Sequence, residues 1–219
     1  MHELNPTALP DFRMLAGDCV SLAEQLGSTT DLVTLDETAS RLKLRRVESP
    51  ADLEAFLRDY LDQVLLPIEF PLIQEAFERA QRNELRELIA IDQRLARDRM
   101  MAPFAEASRR IGRARLRRLR PLRDHRLVQR YVKALDEGTV HGWHTLVYGV
   151  TLAVYSLPLQ QGLLHYAQQT LHGFTLAAAA ARGFGESECR QVIERAFEHL
   201  AHSLDQEWHR EQPPPLRVE

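Results

Sequence analysis

Nine histidines and one dense run of arginines are the residues of this 219-residue chain whose types suggest chemistry. His141 and His144 stand three apart, so on a helix both side chains share one face. Such a pair would supply two of the three or four donors that a zinc or nickel site needs. No His-Glu-x-x-His motif accompanies it. His165, His172, His199, His202 and His209 follow on later segments. One reading is therefore a composite metal site. The other is a set of buried, hydrogen-bonded or surface imidazoles.

The arginines are Arg109, Arg110, Arg113, Arg115, Arg117, Arg118, Arg120, Arg123 and Arg126, nine within 18 residues. A phosphate-binding face has this density of charge. No aromatic side chain interrupts the run to stack on bases, which argues against nucleic acid. Two readings remain. The run is a solvated or salt-bridged helix face, neutralised by the acids between residues 69 and 98, or it binds an acidic protein through residues such as Arg113 and Arg117. The pairs Glu75 and Glu78, and Glu84 and Glu87, read as surface carboxylates that pair with arginine along a helix. Ser108 lacks the strand-to-helix turn that exposes a nucleophile, so a packing role is expected. Gly183-Phe-Gly185 is too short to cradle a phosphate and reads as a helix break. Lys43 and Lys133 are the only lysines, and neither belongs to a phosphate-binding Gly-x-x-x-x-Gly-Lys loop.

These side chains hang on helices. The spacing of Leu53, Phe56, Leu57, Tyr60, Leu61, Val64 and Leu65 predicts an amphipathic helix capped by Ser49 and opened by Pro50. Pro67 is expected to end it and Pro71 to open another, with Leu72, Ile73, Ala76, Phe77 and Ala80 inward. Asn83 is expected to cap a third. Further helices are predicted over 102–119, over the stretch Leu127 to Leu135 closed by Gly138, and over 142–156 and 158–182. Ser187 is expected to cap the last. Shorter helices over 15–26 and 36–46 precede them, after an arm over 1–14, and a tail follows from residue 211. The stretch 138–181 holds no Asp, Glu, Lys or Arg and many small residues. It predicts two central helices wrapped by the others. Its prolines and glutamines break it short of a membrane span.

No segment alternates with period two, so the fold class is all-α, a single-domain bundle of about eight to ten helices. The expected organisation is 1–34 arm and short helix, 35–210 helical domain, and 211–219 tail. The net charge of −3 disfavours a polyanion binder. Cys19 and Cys189 lie far apart, and the N-terminus lacks a basic stretch followed by an apolar run. Both fit a cytoplasmic protein with no membrane role. On these grounds the chain reads as a helical interaction protein. The reading from a different class is a helical metal- or small-molecule-binding protein, with His141, His144 or His165 lining a pocket between the central helices.

Three stretches resemble the UreF urease accessory family. The first is Leu35-Asp-Glu-Thr-Ala39 with Val47-Glu-Ser-Pro-Ala-Asp-Leu-Glu-Ala-Phe-Leu57. The second runs from Ile91-Asp-Gln-Arg-Leu95 through Phe104-Ala-Glu-Ala-Ser108 to Gly112. The third spans Gly138 to Gly149, Leu157-Pro158, the small-residue helix and Gly183-Phe-Gly-Glu-Ser-Glu-Cys-Arg-Gln191. They occur in the family's order across about residues 35 to 200. The chain departs from the pattern at 27–34, which lacks the family's Gly-Gly-Phe, and at Pro103, where a glutamate is usual. The resemblance implies an all-α fold, no enzymatic activity and no tightly bound cofactor. It also implies a homodimer that binds a UreD/UreH-type accessory protein and recruits the UreG-type GTPase, for nickel delivery to the urease apoprotein. The alternative is a paralogue serving another GTPase or metalloenzyme. The candidate partner-interface residues are Arg113, Arg117, Tyr131, His141, His144 and Tyr148.

Overall fold

The computed structural model describes residues 39–40, 43–98 and 105–211, with the side chains of 107 and 205–211 left aside. The expected arm over 1–14, the helix over 15–26, the linker over 27–34, Cys19, the first turn of the helix expected from residue 102, and the tail from 212 lie outside the described residues. The described residues are all-α, with no strand among them.

Helix α1 (Pro50–Tyr60) begins as predicted. Ser49 Oγ accepts the Asp52 N–H at 3.2 Å, and Pro50 fills a position whose N–H has no helical partner. Its end differs from expectation. Pro67 and Pro71 do not break the chain into two helices. The helix instead continues through a π-helical segment (Leu61–Glu69) into α2 (Phe70–Gln81). A proline has no N–H and its ring collides with the carbonyl four residues back. A wider turn shifts the bonding by one residue, as the Phe70 N–H bond to the Leu65 carbonyl records. The rod survives because Leu61, Val64, Leu65 and Ile73 are buried along it.

Asn83 does not cap the next helix. It sits in the left-handed region at φ 56° and turns the chain out of α2, a conformation asparagine tolerates. Glu84 stands at the N-cap of α3 (Leu85–Leu95), but its side chain makes no capping hydrogen bond. Then come α4 (Ala105–Arg118), α5 (Arg126–Asp136) and α6 (His144–Val154). Gly138, at φ 74°, closes α5 as expected. Helix α7 (Leu159–Arg182) ends on left-handed Gly183, and α8 is Glu186–Glu211. Ser187 lies inside α8 and does not cap it. Glu188 Oε2 accepts the Gly185 N–H at 2.9 Å and serves that end. The described residues thus form seven continuous helices, fewer than the eight to ten expected, because two expected helices are fused and two fall outside or at the edge of the described residues.

Helix α6 is central as predicted: every residue from His144 to Leu152 is buried. It lies against α2 at unusual closeness. A Cβ on Gly149 would strike the Ile73 carbonyl and come within 2.9 Å of Ala76 Cβ. Only glycine permits that approach. Helix α7 is not enclosed. One face, including Tyr166, Leu171 and Phe174, is buried, while Leu176 is 68% exposed on the other. Two apolar clusters flank the α2–α6 pair. One gathers α1, the π segment, α7 and α8, and the other gathers α3, α4 and α5.

Candidate functional site

The histidine pair is the first test of the sequence reading. Gly142 is left-handed at φ 73°, and α6 starts only at His144. His141 therefore precedes the helix, and the two imidazoles do not share a helical face. The Asp92 carboxylate organises the segment between them. It accepts the His141 N–H at 2.5 Å and the Gly142 N–H at 2.9 Å, while the Asp92 carbonyl accepts Trp143 Nε1–H at 3.1 Å. Burial raises the Asp92 carboxyl, and those backbone donors oppose the rise. Ser108 Oγ accepts the His144 N–H at 3.0 Å, so α4 caps α6 from outside. That is the packing role expected of Ser108. Gly112 allows it, since a Cβ there would strike the Gly142 carbonyl.

The His144 ring is buried, 3.3 Å from a terminal nitrogen of Arg115. Burial first, and then the Arg115 charge, hold its pKa well below the usual imidazole value. It is a neutral core histidine, edge-on to Tyr148 and tilted over Tyr166. Among the described residues, no group of three or more His, Cys, Asp or Glu is placed to hold a metal ion.

The other candidates divide by depth. Tyr131 is fully buried, and its hydroxyl finds no hydrogen-bond partner among the described residues. Tyr148 is fully buried and donates to the Gly162 carbonyl at 2.9 Å. Arg113 is exposed, yet its Nε–H donates to the His141 carbonyl at 2.9 Å, tying α4 to the histidine segment. Arg117 is exposed in the last turn of α4. Of the six candidates, Arg113 and Arg117 face solvent, His141 is half-buried, and Tyr131, His144 and Tyr148 are buried in the core, so burial keeps those three side chains from touching a partner.

A buried acid escaped the sequence reading. Glu69, 6% exposed, accepts the Tyr166 hydroxyl at 3.0 Å through Oε1 and the Tyr60 hydroxyl at 3.2 Å through Oε2. Burial pushes it up to about 7, against the pull of the two hydroxyls. The tyrosines move well above their ordinary value, through burial first and then the neighbouring carboxylate. They remain hydroxyl donors at any working pH. A signal was available: Glu69 is the only charged residue between Asp62 and Glu75, in an otherwise apolar run.

What this geometry supplies is a rigid helical platform with ordered backbone contacts, a buried polar core and an arginine-rich exterior. The UreF family model matches residues 47–196, more than half of the chain. The chain belongs to the UreF family. It is similar to the urease accessory protein UreF of Sporosarcina pasteurii, at 23% identity over 147 residues, which is 67% of this chain and 73% of that protein. UreF proteins are accessory proteins rather than enzymes. The match takes in the Asp92–His141 contact, Gly112, Gly149 and Glu69. The position of residues 27–34, where the chain lacks Gly-Gly-Phe, lies outside both the match and the described residues. Among the described residues, no helix is long and apolar enough to cross a membrane.

Proposed function

We propose that this chain is a non-enzymatic scaffold in urease maturation. It acts in the cytoplasm as a homodimer, binds a UreD/UreH-type accessory protein and, with it, recruits a UreG-type GTPase for nickel insertion into urease. The single observation that carries this reading is the UreF family match over residues 47–196. The named function of the Sporosarcina pasteurii relative supports the urease client. We take 35–210 as the working unit, with Arg113, Arg117 and the rim of the His141 segment as its partner-facing residues.

The test is co-expression with the host's UreD-type protein and UreG-type GTPase, read by size exclusion with light scattering. The expected result is a stable assembly with two copies of this chain. A stable interface of that kind buries about 1,200–2,000 Å². A folded helical monomer that never engages the UreD-type protein would reject the urease reading and move the search to another GTPase or metalloenzyme.

A further inference from the structure

Between Gly112 and Leu135 the chain carries nine cationic side chains and one acid, Asp124. The fold engages four of the nine. Arg115 is buried against His144, and Arg113 holds the His141 carbonyl. Arg120 grips Asp136 at 2.5 Å, and Lys133 lies 3.6 Å from Glu137. Arg117, Arg118, Arg123, Arg126 and Arg130 are exposed and make no ion pair among the described residues. Five of the seven acids between residues 69 and 98 are taken elsewhere. Arg94 holds Glu75 at 2.9 Å, Arg79 holds Glu84 at 2.8 Å, and Arg82 lies 3.9 Å from Glu78. Asp92 and Glu69 are turned inward.

The five arginines sit on a fixed corner. Arg117 and Arg118 close α4, Arg123 lies in the turn, and Arg126 and Arg130 stand one turn apart on α5. Gln129 Nε2 donates to the carbonyls of Arg120 and Leu122, at 3.0 Å each, and binds the turn to α5. Leu119 and Leu127 are buried beneath it. A guanidinium fork matches a carboxylate in two parallel hydrogen bonds. Tyr131, the one Phe, Tyr or Trp in this stretch, is fully buried, so the corner presents none of these rings to stack on bases. The net charge of −3 works against long-range attraction to a nucleic acid, whereas a local corner suits a local acidic segment.

We propose that this α4–α5 corner docks a carboxylate-rich segment of a partner protein. The proposal does not depend on which enzyme the scaffold serves. The probe is a fluorescent oligoglutamate peptide, titrated with the full chain and read by anisotropy at about 0.05 M and about 0.3 M salt. Two triple variants carry the same change in net charge. One is Arg117→Glu, Arg126→Glu and Arg130→Glu at the corner. The other is Arg45→Glu, Arg46→Glu and Arg190→Glu, at exposed positions away from it. Circular dichroism checks their folding, and Arg→Gln at the same corner positions replaces the reversal if it unfolds.

Wild type should bind at low salt and weaken with added salt. The corner variant should lose about tenfold or more in affinity, while the remote variant stays within about threefold. Equal loss in both variants would reduce the effect to net charge and overturn the proposal, as would no binding by wild type. Tighter binding of a short RNA duplex or of phosphatidylserine vesicles than of the peptide would also overturn it. Assembly with the UreD-type protein is measured separately, so the urease reading stands or falls on its own.

Discussion

Glu69 should make the protein less stable as pH rises, and its amide variant should not show that loss. The folded carboxyl titrates at about 7, against an ordinary value of 4.5, because it is buried. Between those values the folded protein keeps a proton that the unfolded chain has released. Stability then falls with rising pH. Below the window both states are protonated and the contribution is fully present. Above it both are ionised and the contribution is gone. The gap between 4.5 and about 7 converts, at about 1.4 kcal/mol per pH unit, to about 3 kcal/mol.

Glu69→Gln keeps the volume and is neutral at every pH. Its amide oxygen accepts one tyrosine hydroxyl, and its N–H2 donates to the oxygen of the other. Wild type and variant should therefore differ by less than about 1 kcal/mol near pH 5, close to the lower edge of the window. Near pH 8 the variant should be more stable by about 3 kcal/mol, or about 6–12 °C in Tm for a chain of this size. The assay is chemical and thermal unfolding of both proteins across that range. Burial of His144 contributes the opposite slope, since its depressed pKa costs stability as pH falls below the usual imidazole value. That slope is common to both proteins and cancels in their difference. A constant gap between wild type and Glu69→Gln from pH 5 to pH 8 would refute the reasoning.

Three other substitutions read the contacts that build the platform. Gly149→Ala should lower stability by about 1–3 kcal/mol in a thermal melt, because the new Cβ meets backbone of α2 that cannot yield. Asp92→Ala strands two buried or half-buried N–H donors at residues 141 and 142 and should cost about 3 kcal/mol or more, measured by denaturant unfolding. Ser108→Ala removes the cap on the His144 N–H and should cost about 1 kcal/mol in the same experiment, with helical content unchanged.

The elements that were legible in the sequence are those whose signals are local. The Ser49 cap, the stripe from Leu53 to Leu65, the stop at Gly138 and the enclosure of α6 all follow from spacing and side-chain chemistry. Pro67 misled because its penalty is local while the remedy is not. The wide turn around it holds only because packing against α7 and α8 outweighs the poorer hydrogen bonding. The His141–His144 spacing misled for a related reason. Three residues share a face only on a continuous helix, and left-handed Gly142 ends that condition.

The arginine run is the most instructive case, because charge density alone does not say which guanidinium the fold consumes. Ser108, Gly112, Arg115, Leu116 and Leu119 follow helical spacing along one buried face of α4 and its end. That pattern could have marked Arg115 as interior from the sequence. Arg113 and Arg120 could not have been separated from Arg117 and Arg118 in this way. Their partners, the His141 carbonyl and Asp136, are 28 and 16 residues away, and only the tertiary fold brings them close. The same folding that buries Arg115 and ties Arg113 and Arg120 to fixed partners leaves the remaining charge at one corner. Packing thereby turns an undifferentiated basic stretch into a local surface with a direction, which a carboxylate-rich partner can read.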